Sequence, residues 1–145
     1  MSTPDRVRGG LWVIVPAAGR GSRFGGAVPK QFLEVGGRSV LAHTLDALAG
    51  HSGIGGVVLV LGADDAPLLP DAVLHGKPLV RAPGGDTRAA SVLAGLHALP
   101  ESVRPDDFVL VHDAARPNLH ADDLDALLER GRMDPVGAIL AAPVR

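Results

Sequence analysis

A series of short, unbroken apolar runs, separated by amphipathic stretches, most constrains how this chain can fold. Leu11 to Val15 and Val57 to Leu61 are apolar at every position. Neither run can leave one face in water, so both read as central strands covered on two sides. Leu79 to Ala82, Phe108 to Val111 and Val136 to Ala142 read as three further strands. Between the first two, Ser39 to Leu48 places Leu41, Leu45 and Leu48 on one helical face, and Gly50 is the stop. A helix from Asp86, as its cap, to Leu99 would turn Ala89, Val92, Leu93, Leu96 and Leu99 inward. A helix over Asp122 to Arg130 would bury Leu124, Leu127 and Leu128. Asp64 to Pro78 contains three prolines and no clean period, so it reads as irregular with one helical turn at most. Strand–helix alternation of this kind predicts an α/β chain: an open, mostly parallel sheet with helices on both faces.

Composition narrows the function. At 145 residues, 46% apolar and 21% charged, residues 1–145 are expected to form a single domain with an ordinary core. Fourteen basic residues face sixteen acidic ones with no basic run, and aromatics are 3% with no Tyr. Both features argue against a nucleic-acid partner. The absence of Cys excludes disulfides, thiolate metal sites and thiol chemistry. None of the six His pairs with another at helical metal-ligand spacing; His43 reads as packed or capping, and His51, His75, His97 and His120 as surface. The apolar runs are too short for a membrane span or a signal peptide, so a cytoplasmic location is expected. The 19 Gly and 12 Pro sit between the apolar runs, as turn residues should. Arg145 follows directly on an apolar strand, so the sheet is expected to be incomplete at that end.

In such sheets a ligand lies beyond the carboxyl ends of the strands. Three segments fall there. The first runs from Pro16 through Ala17, Ala18, Gly19, Arg20, Gly21, Ser22 and Arg23 to Gly26, followed by Pro29-Lys30. Its small residues let backbone N–H groups approach an anion, and Arg20, Arg23 and Lys30 add positive charge. It is not a P-loop, because no Gly-Lys-Ser/Thr occurs. It misses the dinucleotide fingerprint by one place, at Gly25. The alternative is a surface turn with solvated Arg. The second segment is Gly84-Gly85-Asp86-Thr87-Arg88 with Ser91. It is either a turn with a helix cap or a contact for a nucleobase edge or sugar hydroxyl, since Asp86 would repel phosphate. The third is His112-Asp113-Ala114-Ala115-Arg116-Pro117. Asp113 is placed for a Mg²⁺ ligand, or else pairs with Arg116 in a structural turn.

Taken together, the three segments resemble a known family. Pro16-Ala17-Ala18-Gly19-x-Gly21-x-Arg23-Phe24-Gly25 with Pro29-Lys30-Gln31-Phe32-Leu33 is similar to the signature of sugar-nucleotide-forming nucleotidyltransferases. Gly84-Gly85-Asp86-x-Arg88-x-x-Ser91 and His112-Asp113-Ala114-Ala115-Arg116-Pro117 resemble the methylerythritol phosphate cytidylyltransferase branch, and the likeness runs over nearly all of the chain. The resemblance implies a Rossmann-like nucleotidyltransferase fold and transfer of CMP from CTP to 2-C-methyl-D-erythritol 4-phosphate, with Mg²⁺. It implies that Pro16, Ala17, Ala18, Gly19 and Gly21 hold CTP through the backbone. Arg23 and Lys30 would stabilise the transition state. Gly85, Asp86 and Ser91 would select cytosine, Asp113 would serve the metal, and Arg116 would orient substrate or brace its loop. It further implies a longer protein, homodimeric, whose second-substrate residues lie past Arg145. A ribitol 5-phosphate cytidylyltransferase, an inactive CTP-binding fragment and a dinucleotide-binding oxidoreductase domain are the competing readings.

Overall fold

The computed structural model describes residues 10–19, 27–65 and 74–144. Its main sheet holds β1 (Leu11–Ala17), β4 (Ile54–Leu61), β5 (Leu79–Pro83) and β6 (Val109–Val111), in the order β5-β4-β1-β6. All three pairings are parallel, with Val13 opposite Val57 and Ile14 opposite both Val58 and Val111. Side-chain alternation sends β1 and β4 to two cores. Val13, Val15, Val57 and Leu59 join one, while Ile14, Val58 and Val60 join the other. The first core is closed by α1 (Val40–Ala49) through Leu41, Leu45 and Leu48, and by α3 (Ala121–Met133) through Leu124 and Leu128. On the opposite face α2 (Arg88–His97) lies over β1 and β4. The expected parallel sheet with helices on both faces is what forms, because apolar runs buried on two sides require it.

β4 begins at Ile54, earlier than the apolar pattern suggests. Gly55 and Gly56 hide this start, and Gly56 is needed there. A Cβ on Gly56 would lie 2.6 Å from the Trp12 indole. Between β1 and α1 lies a small hairpin, β2 (Glu34–Val35) with β3 (Arg38–Ser39). Gly36 and Gly37 turn it with φ of +60° and +78°. Ser39, expected as the first helical residue, instead caps α1, accepting from the Ala42 N–H at 3.0 Å.

Three expectations are corrected. The cap of α2 is Thr87, not Asp86: its hydroxyl accepts from the Ala90 N–H at 3.0 Å. The inward face of α2 is Ser91 and Gly95, whereas Leu93 and Leu96 are exposed. Gly95 sets this rotation, because a Cβ there would meet Ile14 Cγ2 at 2.5 Å. The helix turns its smallest residues to the sheet and approaches closely. Finally, Val136 to Ala142 is not a strand. It runs exposed past α3 and pairs with no strand among the described residues, and strand geometry needs a hydrogen-bonded neighbour. Part of the irregular Asp64–Pro78 stretch, residues 66–73, lies outside the described residues. Leu74 to Lys77 forms a turn, closed by the Lys77 N–H on the Leu74 carbonyl.

Candidate functional site

The described parts of the three segments singled out in the sequence meet at the carboxyl ends of the strands. β1 delivers Pro16, Ala17, Ala18 and Gly19. Arg20, Gly21 and Arg23 lie outside the described residues. Behind Ala17 and Gly19 stands Gln31, which is buried. Its Nε2 donates to the Ala17 carbonyl at 2.9 Å and to the Gly19 carbonyl at 3.0 Å. Gln31 belongs to a short 3-10 turn, Lys30–Phe32, whose Phe32 is buried in the first core while Lys30 is exposed. One turn therefore anchors itself at two residues and presents a cation at the third.

The second segment closes on the first. The Gly84 N–H donates to the Leu61 carbonyl at 2.8 Å, across the end of β4. A Cβ on Gly84 would come within 2.2 Å of the Ala18 Cβ, so only glycine lets the two loops touch. Gly85 is packed as closely against Ala90. Ser91, buried, accepts from the Gly85 N–H at 3.2 Å. Ser91 thus holds the turn from beneath, while Gly85 and Asp86 are on its exposed side.

The third segment follows β6. The His112 N–H extends the parallel ladder to the Ile14 carbonyl at 3.0 Å. Asp113 then meets two guanidinium groups: Arg88 on Oδ1 at 2.5 Å and Arg116 on Oδ2 at 2.9 Å. Burial pushes the Asp113 carboxyl up. The hydrogen bond from Arg88 and the charges of Arg88, Arg116 and His112 outweigh this and hold it below its ordinary value. Arg88 opens α2, so this ion pair ties the second segment to the third. The loop is fixed from the other side by Thr44 of α1, wholly buried, whose hydroxyl donates to the Ala114 carbonyl at 2.8 Å.

Arg88, Gln31 and Thr44 were not among the residues selected from the sequence. Arg88 and Gln31 stood inside quoted motifs, which was their only signal. Gln31 and Thr44 act on backbone carbonyls, and no spacing of residue types announces that. His51, expected at the surface, is buried. Its Nδ1 accepts from the Gly53 N–H at 3.0 Å, which leaves Nε2 to carry the proton and donate to Asp125 at 2.9 Å. A cavity of about 570 Å³ lies elsewhere, against α1, lined by His43, Asp46, His51, His75 and Leu119 among others. None of the described candidate residues lines it.

The strand-end assembly suits an anionic ligand: backbone and Lys30 on one side, two arginines on the other. Asp113 is one ionised carboxylate, partly accessible, beside those cations. Among the described residues, no three His, Asp or Glu side chains are grouped to hold a metal by themselves. Mg²⁺ takes one or two carboxylates together with phosphate oxygens. The residues therefore fit an ion that arrives with a phosphate ligand, held by Asp113.

Comparison with known proteins identifies the family and the fold. The family model for 2-C-methyl-D-erythritol 4-phosphate cytidylyltransferase (IspD) matches residues 11–145. A curated relative of that name from Xanthomonas campestris pv. campestris (strain B100) is 64% identical over 94% of this chain and 52% of its own. Another from Stenotrophomonas maltophilia (strain R551-3) is 64% identical over 93% of this chain and 58% of its own. The chain thus spans about half the length of the curated relatives it matches. A solved 4-diphosphocytidyl-2C-methyl-D-erythritol synthase superposes with a TM-score of 0.76 at 30% identity, covering 95% of this chain and 61% of that one. The Francisella tularensis cytidylyltransferase gives 0.68 at 30% identity, covering 87% and 54%. With its family model matched from β1 onward and its strand-end loops assembled, the chain belongs to the 2-C-methyl-D-erythritol 4-phosphate cytidylyltransferase family.

Proposed function

We propose that this chain supplies the nucleotide side of an enzyme that transfers CMP from CTP to 2-C-methyl-D-erythritol 4-phosphate. The observation that carries the reading is the contact between the loops after β1 and β5, Ala18 against Gly84, with Asp113, Arg88 and Arg116 alongside. Those loops put backbone and cations around one place, and family membership supplies the substrates. In the reaction, a phosphate oxygen of methylerythritol phosphate attacks the α-phosphorus of CTP. The bond from the α-phosphorus to its bridging oxygen breaks, and pyrophosphate leaves with the electron pair. No protein nucleophile is required; positioning and charge stabilisation suffice.

The roles proposed are those the family resemblance implies, carried onto the matching positions. Pro16 to Gly19, with Gly21, hold the triphosphate through the backbone. Arg23 and Lys30 stabilise charge on the five-coordinate phosphorus. Gly85 and Asp86 read the cytosine edge, and Ser91 acts through Gly85, whose N–H it holds. Asp113 would hold Mg²⁺, which when bound would neutralise phosphate charge. Arg88 and Arg116, both exposed and paired with Asp113, would reach phosphate oxygens by leaving that carboxylate. The same reading includes a homodimer and a cytoplasmic location for the complete protein; no helix among the described residues is long and apolar enough to cross a membrane.

Pyrophosphate release, followed with CTP and either methylerythritol 4-phosphate or ribitol 5-phosphate, tests the proposal on the complete protein. Turnover with the first and little with the second is expected. Preference for ribitol 5-phosphate, or release with neither, would overturn it.

A further inference from the structure

We propose that Gln31 is a positioning residue: its buried carboxamide sets the backbone loop after β1 in register with Lys30. This rests on reading the strand ends as a nucleotide site. Gln31 is 4% exposed, and its amide nitrogen donates to two carbonyls two residues apart, Ala17 and Gly19. Both hydrogens of one NH₂ group are thereby spent on the loop. The C=O of Ala17 and the N–H of Ala18 point opposite ways across one trans peptide. Holding the carbonyl on Gln31 therefore turns the Ala18 N–H to the other side, and it keeps two carbonyl dipoles off the face that an anion would approach.

The second half of the argument lies in the turn that carries Gln31. Phe32 is packed in the first core, and its N–H donates to the Pro29 carbonyl at 2.9 Å. Lys30 stands between Pro29 and Gln31 and is exposed. With Phe32 fixed by the core and Gln31 fixed by the loop, the backbone of Lys30 has no independent freedom. The backbone of Lys30, from which its ammonium reaches, and the backbone amides that share a triphosphate are thus set in one frame by one side chain. Small misplacement of such groups is costly: about 1 Å costs ~10²-fold in rate.

The test compares wild type, Gln31→Leu and Gln31→Glu. Three quantities are read: CTP affinity with Mg²⁺ by calorimetry, turnover of the complete protein by pyrophosphate release, and hydrogen exchange at the Ala18 and Gly19 amides by NMR. Gln31→Leu is expected to lower turnover about 10²-fold, to weaken CTP, and to leave the KM for methylerythritol phosphate unchanged. Gln31→Glu should behave likewise at neutral pH, where a carboxylate faces two carbonyls. It should regain CTP affinity as pH falls, because the protonated carboxyl again donates one hydrogen bond. Wild-type affinity and turnover in both variants, with only thermal stability lowered, would overturn the proposal. If wild type itself does not bind CTP, the nucleotide reading falls. The clamp is then judged by exchange alone: faster exchange at Ala18 and Gly19 in Gln31→Leu supports it, and unchanged exchange refutes it.

Discussion

At the residue scale, charge at the site is concentrated on Asp113 and its two arginines. The arginines are exposed and Asp113 is partly accessible, so the pairing adds only ~0–1 kcal/mol to folding. Asp113→Ala is therefore expected to melt within a few degrees of wild type yet to lose most of its affinity for CTP with Mg²⁺. Calorimetry beside a thermal melt checks both halves. The pH dependence has a definite sign. Asp113 is held below its ordinary value as described above. Asp46 is lowered as well, first by its hydrogen bond with His75 and then by that from Arg38. A carboxyl lowered in the folded state adds stability that is fully present above the unfolded value, ~3.9, and is lost as pH falls through the folded one. The double variant Asp46→Asn, Asp113→Asn should lose less stability than wild type below about pH 4. Denaturant melts across that range decide the point. Lys30→Ala and Arg23→Ala should each lower turnover by about 10²–10³ with the fold intact, the usual effect of one preorganised donor. Near-normal pyrophosphate release would remove the residue from the mechanism.

At the element scale, α2 shows what the sequence could and could not reveal. Its existence was legible from the period of its apolar residues. Its rotation was not, because a close helix–sheet approach favours small residues over large ones. Gly95 against Ile14 and Val60 outranks Leu93 and Leu96 for the inner face. Gly95→Ala would gain up to ~1 kcal/mol of helix propensity and lose ~1–3 kcal/mol to overpacking. A net loss near ~1 kcal/mol is expected in urea melts. The two-residue strands of the hairpin were illegible for another reason: they are too short to show a period. α1 was placed within a residue at each end, its stop at Gly50 included, yet its Thr44 contact to the loop after β6 lies 70 positions away in sequence. Thr44→Val keeps the shape and leaves the Ala114 carbonyl without that donor, at a cost of ~1–3 kcal/mol. CTP affinity should fall too, because the same loop carries Asp113.

At the scale of the whole molecule, the sheet was legible because its central strands are apolar on both faces. Val136 to Ala142 has the same composition and is not a strand, since composition makes a segment eligible for a sheet while a neighbour makes it a member. The site was legible as three segments. Their meeting was implied by parallel topology, and its tightness depends on Gly84 lying against Ala18. Binding of CTP at that junction is the central claim. Calorimetric titration of this chain with CTP and Mg²⁺, repeated on Gly84→Val, tests it most directly. Saturable binding at one site per chain, lost in the variant while the fold persists, is the expected result. No binding of CTP by the wild-type chain, or unchanged binding by Gly84→Val, would contradict it.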